Sequence, residues 1–238
     1  MAGVEGESGP ETGAEQARVR GAEPAPWRPQ GWQFSRLAVF AREVTAMLFG
    51  PVLSYYTRGP AVSGVEHLGE LDGPALFCPT HASHFDVSAL RLAIGPRHRR
   101  RLSAAAAADY FKANRTRWFF AAWLGAFPFN RRGRGDDSFK MAGGLLAAGW
   151  NVLVFPEGTR SQTGEIAPFH PGIGLLATRT GRQVMPVRII GAAAVLPKGA
   201  SWPHRSQVEV RFGAPLRAEP DEDPRAFTDR LEAVVRAL

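Results

Sequence analysis

Two short strings carry side chains whose types and spacing could do chemistry, and a third carries paired arginines. In THASHFD, residues 80–86, His81 precedes Asp86 by five positions. Five residues of regular helix turn through about 140°, so the two would not share a helix face. With His81 in a turn and Asp86 in the first turn of a following helix, the carboxylate can reach back to the imidazole. That pair is a proton acceptor with an orienting partner, the logic of a catalytic triad without its nucleophile. His84 could pair with Asp86 equally well on spacing alone. Cys78 is a poor nucleophile for His81 because it lies within an apolar strand, where thiols are usually inert packing residues.

The second string, FPEGTRS at residues 155–161, follows the apolar run NVLVF. Gly158 permits close backbone approach in a sharp turn and leaves amides to face an anion. Arg160 offers a planar fork that matches phosphate, while Thr159 and Ser161 add hydroxyls. The third, GAFPFNRRG at 125–133, sets Arg131 and Arg132 after an apolar run. Ligands of α/β folds collect at the carboxyl ends of strands, which suits that pair to phosphate capture. A fourth stretch, PFHPGIGLLA at 168–177, enters a helix through Pro-Gly, and VMPV surrounds Pro186.

The elements that must position these residues alternate. Apolar runs at 75–79, 102–107, 126–130, 151–155, 184–190 and 207–212 read as strands. Helical stretches lie at about 85–95, 109–124, 138–149, 171–181 and 223–238, the last opening on Asp223-Pro224, a capping residue followed by proline. Such alternation predicts an α/β fold with a mostly parallel central sheet flanked by helices. Residues 1–30 are rich in Gly, Glu, Ala and Pro and read as a disordered tail. Residues 31–58 form an N-terminal helical segment and 59–238 the α/β domain.

Residues 34–56 predict a helix with a break at Gly50–Pro51. Ser35, Arg36, Arg42 and Glu43 fall on one narrow face and the rest is apolar. Arg42 and Glu43 within the apolar run make a membrane span costly, so a helix lying in the headgroup plane fits better. WFFAAWLGAF at 118–127 is too short to span a bilayer and reads as core or as a second element dipping into it. RHRRR at 97–101 is a solvated loop or a face for anionic headgroups.

Composition narrows the partners. The 29 Lys+Arg exceed the 22 Asp+Glu, for +7 overall; residues 1–30 and 217–238 each carry −2, which leaves +11 on 31–216. A basic body suits an anionic partner. Neither interleaved aromatics nor a known module supports nucleic acid. One cysteine excludes an internal disulfide framework, and the acidic N-terminus lacks the pattern of a signal peptide.

In order and spacing, the four blocks resemble those of the PlsC-type glycerolipid acyltransferases, which include the 1-acylglycerol-3-phosphate acyltransferases. The resemblance covers roughly residues 34–215. It rests on His81 and Asp86, on Gly125 through Arg131, on Phe155 to Ser161, and on Pro186; Thr80 stands where many members have Asn. It implies transfer of an acyl group from acyl-CoA or acyl-carrier protein to a lysophospholipid hydroxyl, by default 1-acyl-glycerol-3-phosphate giving phosphatidate. His81 would be the general base and Asp86 its orienting partner. Arg131, Glu157, Gly158, Thr159, Arg160 and Ser161 would bind the acceptor, Glu157 by organising the loop, with an oxyanion donor near Gly158. No metal and no cofactor beyond the acyl carrier is implied. The helix at 34–56 would dock on the bilayer, making this a peripheral (monotopic) protein on the cytoplasmic face of the cell membrane, with 118–127 walling the acyl chain. Another acceptor lipid, acyl-thioester hydrolysis and a non-catalytic membrane-binding module remain as alternatives.

Overall fold

The computed structural model describes residues 31–107, 125–129, 136–161, 164–197 and 202–238. The tail at 1–30, the helix expected over 109–124, most of the apolar segment 118–127, and Arg131 and Arg132 lie outside the described residues.

After a 3₁₀ turn at Trp32–Phe34 the elements run α1 (Arg36–Tyr56), β1 (Ala61–Ser63), a second 3₁₀ turn (Val65–Glu70), β2 (Leu76–Pro79), α2 (Asp86–Ala93) and α3 (Gly95–Arg99). There follow β3 (Leu102–Ala107), β4 (Phe127–Phe129), α4 (Asp136–Ala147), β5 (Asn151–Leu153), α5 (Gly172–Thr180), β6 (Val184–Ile190), α6 (Ala192–Val195), β7 (Glu209–Phe212) and α7 (Pro224–Ala237). The strands form one sheet in the order β1-β7-β6-β2-β5-β3-β4, and every neighbouring pair is parallel except β6 with β7. This is the predicted α/β architecture with a mostly parallel sheet. Strand β1, three exposed residues on the sheet's edge, has no apolar run to announce it.

Central strands must be apolar on both faces, and all four residues of β2 are buried. Alternate side chains enter opposite layers. Phe77 packs with Phe85, Leu90 and Val195 on one side of the sheet. Leu76 and Cys78 pack with Leu145, Phe169, Leu176, Phe227 and Leu231 on the other. In that second layer α5 and α7 touch backbone to backbone: a Cβ on Gly174 would lie 1.8 Å from the Pro224 carbonyl oxygen.

Pro186 occupies an interior strand, where proline normally removes a ladder bond. Here the proline costs nothing, because its nitrogen faces β7 where regular pairing has not begun. The β6–β7 ladder starts at Val187↔Phe212, Val184 is bridged separately to Leu216, and the Pro186 carbonyl accepts from the Gly213 amide at 3.0 Å.

Helix α1 departs from its expected form. It continues through Pro51 rather than breaking at Gly50. A proline removes one hydrogen bond of the ladder. The half beyond it is held independently, because Leu53 and Tyr56 pack against the core and Thr57 closes the helix through the Leu53 carbonyl. The Arg42–Glu43 part of its polar face turns inward, while Ser35 and Arg36 at its start are exposed. Arg42 is buried, and Glu43 receives two hydrogen bonds from Arg99 at 3.1 and 2.9 Å. Burial first, and then the neighbouring Arg42, lowers the Arg91 guanidinium to about 10. Leu37, Phe40, Met47, Leu48, Phe49, Val52 and Tyr55 are all exposed. The run 97–101 is therefore partly structural: Arg99 anchors α1, while Arg97, Arg100 and Arg101 remain on the surface.

Candidate active site

His81 lies just past the end of β2, and FPEGTRS just past the end of the adjacent parallel strand β5. The sheet thus brings the two strings to one edge, the carboxyl ends of neighbouring strands. Thr80 fixes where β2 ends. Its hydroxyl donates to the Ile189 carbonyl at 3.2 Å and accepts from the Ile189 amide at 2.9 Å, so a side chain stands in for the next rung of the ladder with β6.

Beyond Thr80 the chain turns tightly into α2. Asp86 Oδ2 accepts from the amides of Ala82 and Ser83 at 2.8 Å each, and His81 Nδ1 lies 2.8 Å from the same oxygen. The Ser83 hydroxyl accepts from the Phe85 amide and donates to the Leu196 carbonyl. An ionised carboxylate only accepts, so Nδ1 carries the proton and Nε2 keeps its lone pair. Asp86 is 1% exposed and the imidazole 16%. Spacing alone makes His84 and His81 equal partners for Asp86; the turn gives Oδ2 to His81, and His84 is exposed.

The imidazole lies flat on the Phe155 ring, with centroids 3.7 Å apart and planes 16° from parallel. Phe155 thereby sets the ring's second degree of freedom, a role its apolar type in a strand-end string does not advertise. The two loops also join through backbone. The His81 amide donates to Glu157 Oε1 at 2.7 Å, and the Ser161 amide donates to the His81 carbonyl at 2.8 Å.

Glu157, grouped by sequence with the acceptor-binding residues, is turned inward. It is 2% exposed, and its second oxygen accepts from the Ala167 amide at 2.9 Å. Burial pushes its carboxyl above the usual carboxylate range, against the pull of the two amides. Both oxygens are committed to backbone, so Glu157 braces the turn. Gly158 has φ +67°, and its amide donates to the Phe155 carbonyl at 3.1 Å. The oxyanion donor expected near Gly158 therefore cannot be that amide without opening the turn. Thr159 is exposed; the Ser161 hydroxyl accepts from the Gly164 amide. Among the described residues Arg160 has no carboxylate partner, which leaves its fork available. His170 is a residue that sequence reasoning does not single out. It is exposed, and a Cβ on Gly158 would lie 2.7 Å from its ring. Cys78 is fully buried, and burial pushes its thiol up, away from a nucleophilic role.

Residues 59–190, more than half of the chain, match the family model Acyltransferase. The chain belongs to the acyltransferase family. Among curated members, a chloroplastic 1-acyl-sn-glycerol-3-phosphate acyltransferase of Brassica napus is 27% identical over 157 residues, 65% of this chain and 44% of that protein. One from Arabidopsis thaliana is 29% identical over 141 residues, 58% of this chain and 38% of that protein. The matched stretch spans less than half the length of these curated relatives. The fold of this acyltransferase also resembles the crystal structure of PlsC, a 1-acyl-sn-glycerophosphate acyltransferase, from Thermotoga maritima. The TM-score is 0.62 at 22% identity, covering 86% of this chain and 82% of that one.

Proposed function

We propose that this protein transfers an acyl group from the thioester of acyl-CoA or acyl-carrier protein to a free lysophospholipid hydroxyl, with 1-acyl-glycerol-3-phosphate as acceptor and phosphatidate as product. The observation that carries the reading is the His81–Asp86 pair, oriented on Phe155 with Nε2 unshared, bonded through backbone to the loop that holds Arg160. The names of the curated relatives support the acceptor.

In this mechanism Nε2 takes the proton of the acceptor hydroxyl as its oxygen attacks the thioester carbonyl. The carbon–sulfur bond then breaks, and the imidazolium returns its proton to the departing thiolate. Asp86 holds the ring in the tautomer that leaves Nε2 basic and supports the imidazolium that forms. Arg160, with Arg131, holds the acceptor phosphate, and Glu157 keeps the turn in shape. No acyl-enzyme forms and no metal takes part.

The reaction is set at a membrane surface by α1. That helix is long and apolar enough to cross a bilayer by composition. Its Arg42 and Glu43 face, however, is fastened to the domain along α2 and Arg99, so it lies against the body with its apolar side outward. That arrangement supports a peripheral (monotopic) protein with residues 31–58 as the docking segment; its place on the cytoplasmic face of the cell membrane is what the family resemblance implies.

The test is a panel: purified protein, long-chain acyl-CoA and several lysophospholipids, with products read by mass spectrometry. Phosphatidate should form from 1-acyl-glycerol-3-phosphate. His81→Ala should abolish it while leaving the circular dichroism spectrum and thermal midpoint near those of the parent. Full transfer by His81→Ala would refute the base, and thioester consumption without lipid product would make the protein a hydrolase.

A further inference from the structure

Trp202 is 79% exposed, the most exposed large apolar side chain among the described residues. An isolated exposed apolar residue is ordinary. The chain that follows this one, however, is fastened to the end of α1 by a specific set of contacts. Three residues on, the Arg205 guanidinium lies over the Tyr55 ring at 4.6 Å and donates to the Tyr55 carbonyl at 3.2 Å. The Ser206 amide donates to the Tyr56 carbonyl at 2.9 Å. On the other flank the His204 amide donates to the Val195 carbonyl at 2.7 Å. Four residues of chain reach at most about 14 Å, and the Ser206 amide bonds directly to Tyr56, so the Trp202 backbone stands within roughly 17 Å of the last turn of α1.

Tyr55 belongs to the outward face of the helix. Leu37 and Tyr55 are 18 positions apart, about five full turns, so they lie on one meridian with Leu48 close beside it. Trp202 is therefore an exposed apolar side chain near the C-terminal end of an apolar surface that begins at the first turn of α1. Cations accompany it: Arg205 three residues on and Arg58 just past the end of α1 are both exposed, and the body of the chain is basic. An exposed indole three residues from a guanidinium that caps the apolar helix matches the chemistry of the bilayer interface, where tryptophan sits at headgroup level and guanidinium meets lipid phosphate.

We propose that Trp202 is a second membrane anchor, inserting into the interface of an anionic bilayer beside the C-terminal end of α1. The proposal rests on the docking of α1 set out above. Because the two elements are already joined, insertion of one makes insertion of the other intramolecular, and their contributions multiply. Residues 202–208 lead into β7, so this anchor fastens to the bilayer from the α/β domain itself rather than from the N-terminal segment.

Cys78 is buried, which allows a nitroxide to be attached to a single introduced thiol. Trp202→Cys, Phe40→Cys on the outward face of α1, and Ala233→Cys at an exposed position of α7 in the opposite layer would be labelled in the full chain. Each would be mixed with vesicles of phosphatidylcholine and phosphatidylglycerol. On vesicle addition the labels at 202 and 40 should lose accessibility to a water-soluble nickel chelate and gain it to oxygen, while the label at 233 stays unchanged. Trp202→Ser should weaken vesicle partitioning roughly tenfold with an unaltered thermal midpoint. Burial at 40 with full chelate access at 202 would overturn the second anchor and leave α1 docking intact. Full chelate access at both positions would overturn docking and the anchor together.

Discussion

At the scale of single residues, the site depends on one oxygen. Asp86 Oδ2 gathers the His81 ring and two backbone amides, so it shapes the turn and the imidazole together. Asp86→Asn would present either a second acceptor without the charge or an amide donor facing Nδ1–H. The wrong tautomer then competes. Transfer should fall on the order of 10³- to 10⁴-fold, measured as kcat with saturating acceptor, with a smaller change in KM. Gly158 is a second such point. Its φ of +67° disfavours any side chain, and an added methyl would meet the His170 ring at 2.7 Å. Gly158→Ala should cost about 1–2 kcal/mol in urea unfolding, chiefly from the left-handed backbone, since the exposed imidazole can swing aside.

At the scale of elements, the reversed polarity of α1 decides what the helix is for. A surface helix ordinarily turns its apolar stripe toward the core. Here Arg42 and Glu43 face inward and seven large apolar side chains face out. Phe40→Glu and Leu48→Glu touch no packed contact of the domain. Each should lower vesicle partitioning at least tenfold in co-sedimentation while the thermal midpoint stays within a few degrees.

Much of this level could be read from the chain. The strand runs around residues 75–79, 102–107, 151–155 and 184–190 announced themselves because parallel strands buried on both faces must be continuously apolar. The pairing of His81 with Asp86 could be foreseen as a reach from first helical turn to preceding loop. The continuity of α1 through Pro51 could not, because it depends on tertiary contacts made by Leu53 and Tyr56. Strand β1 was illegible for the same reason: its pairing with β7 supplies the order its three exposed residues lack. Phe155 and His170 join the site through ring contacts that no local pattern encodes.

At the scale of the whole molecule, acid stability has a traceable source in His98. Burial, and then the adjacent Arg97, lowers its imidazole below the ordinary 6.5. The unfolded chain therefore takes up this proton at a higher pH than the folded one does. Stability is fully present above about 6.5 and is lost as pH falls through that value toward the folded pKa. Urea midpoints should rise as pH climbs from below 6.5 to neutrality, and His98→Gln should flatten that rise. Equal slopes for parent and variant would assign the acid sensitivity to other groups.

The residue that holds the imidazole is gripped by the neighbouring loop on both sides of its own backbone: its N–H by Glu157 and its C=O by the Ser161 amide. The two contacts tie the loops after β2 and β5 together at the site itself. The turn that would receive the acceptor's anion and the ring that would receive its proton therefore move as a single body. Substitutions in that turn should surface in the chemical step as well as in affinity, and selectivity for a new acceptor is more safely sought at His170, which is exposed and lies outside the turn.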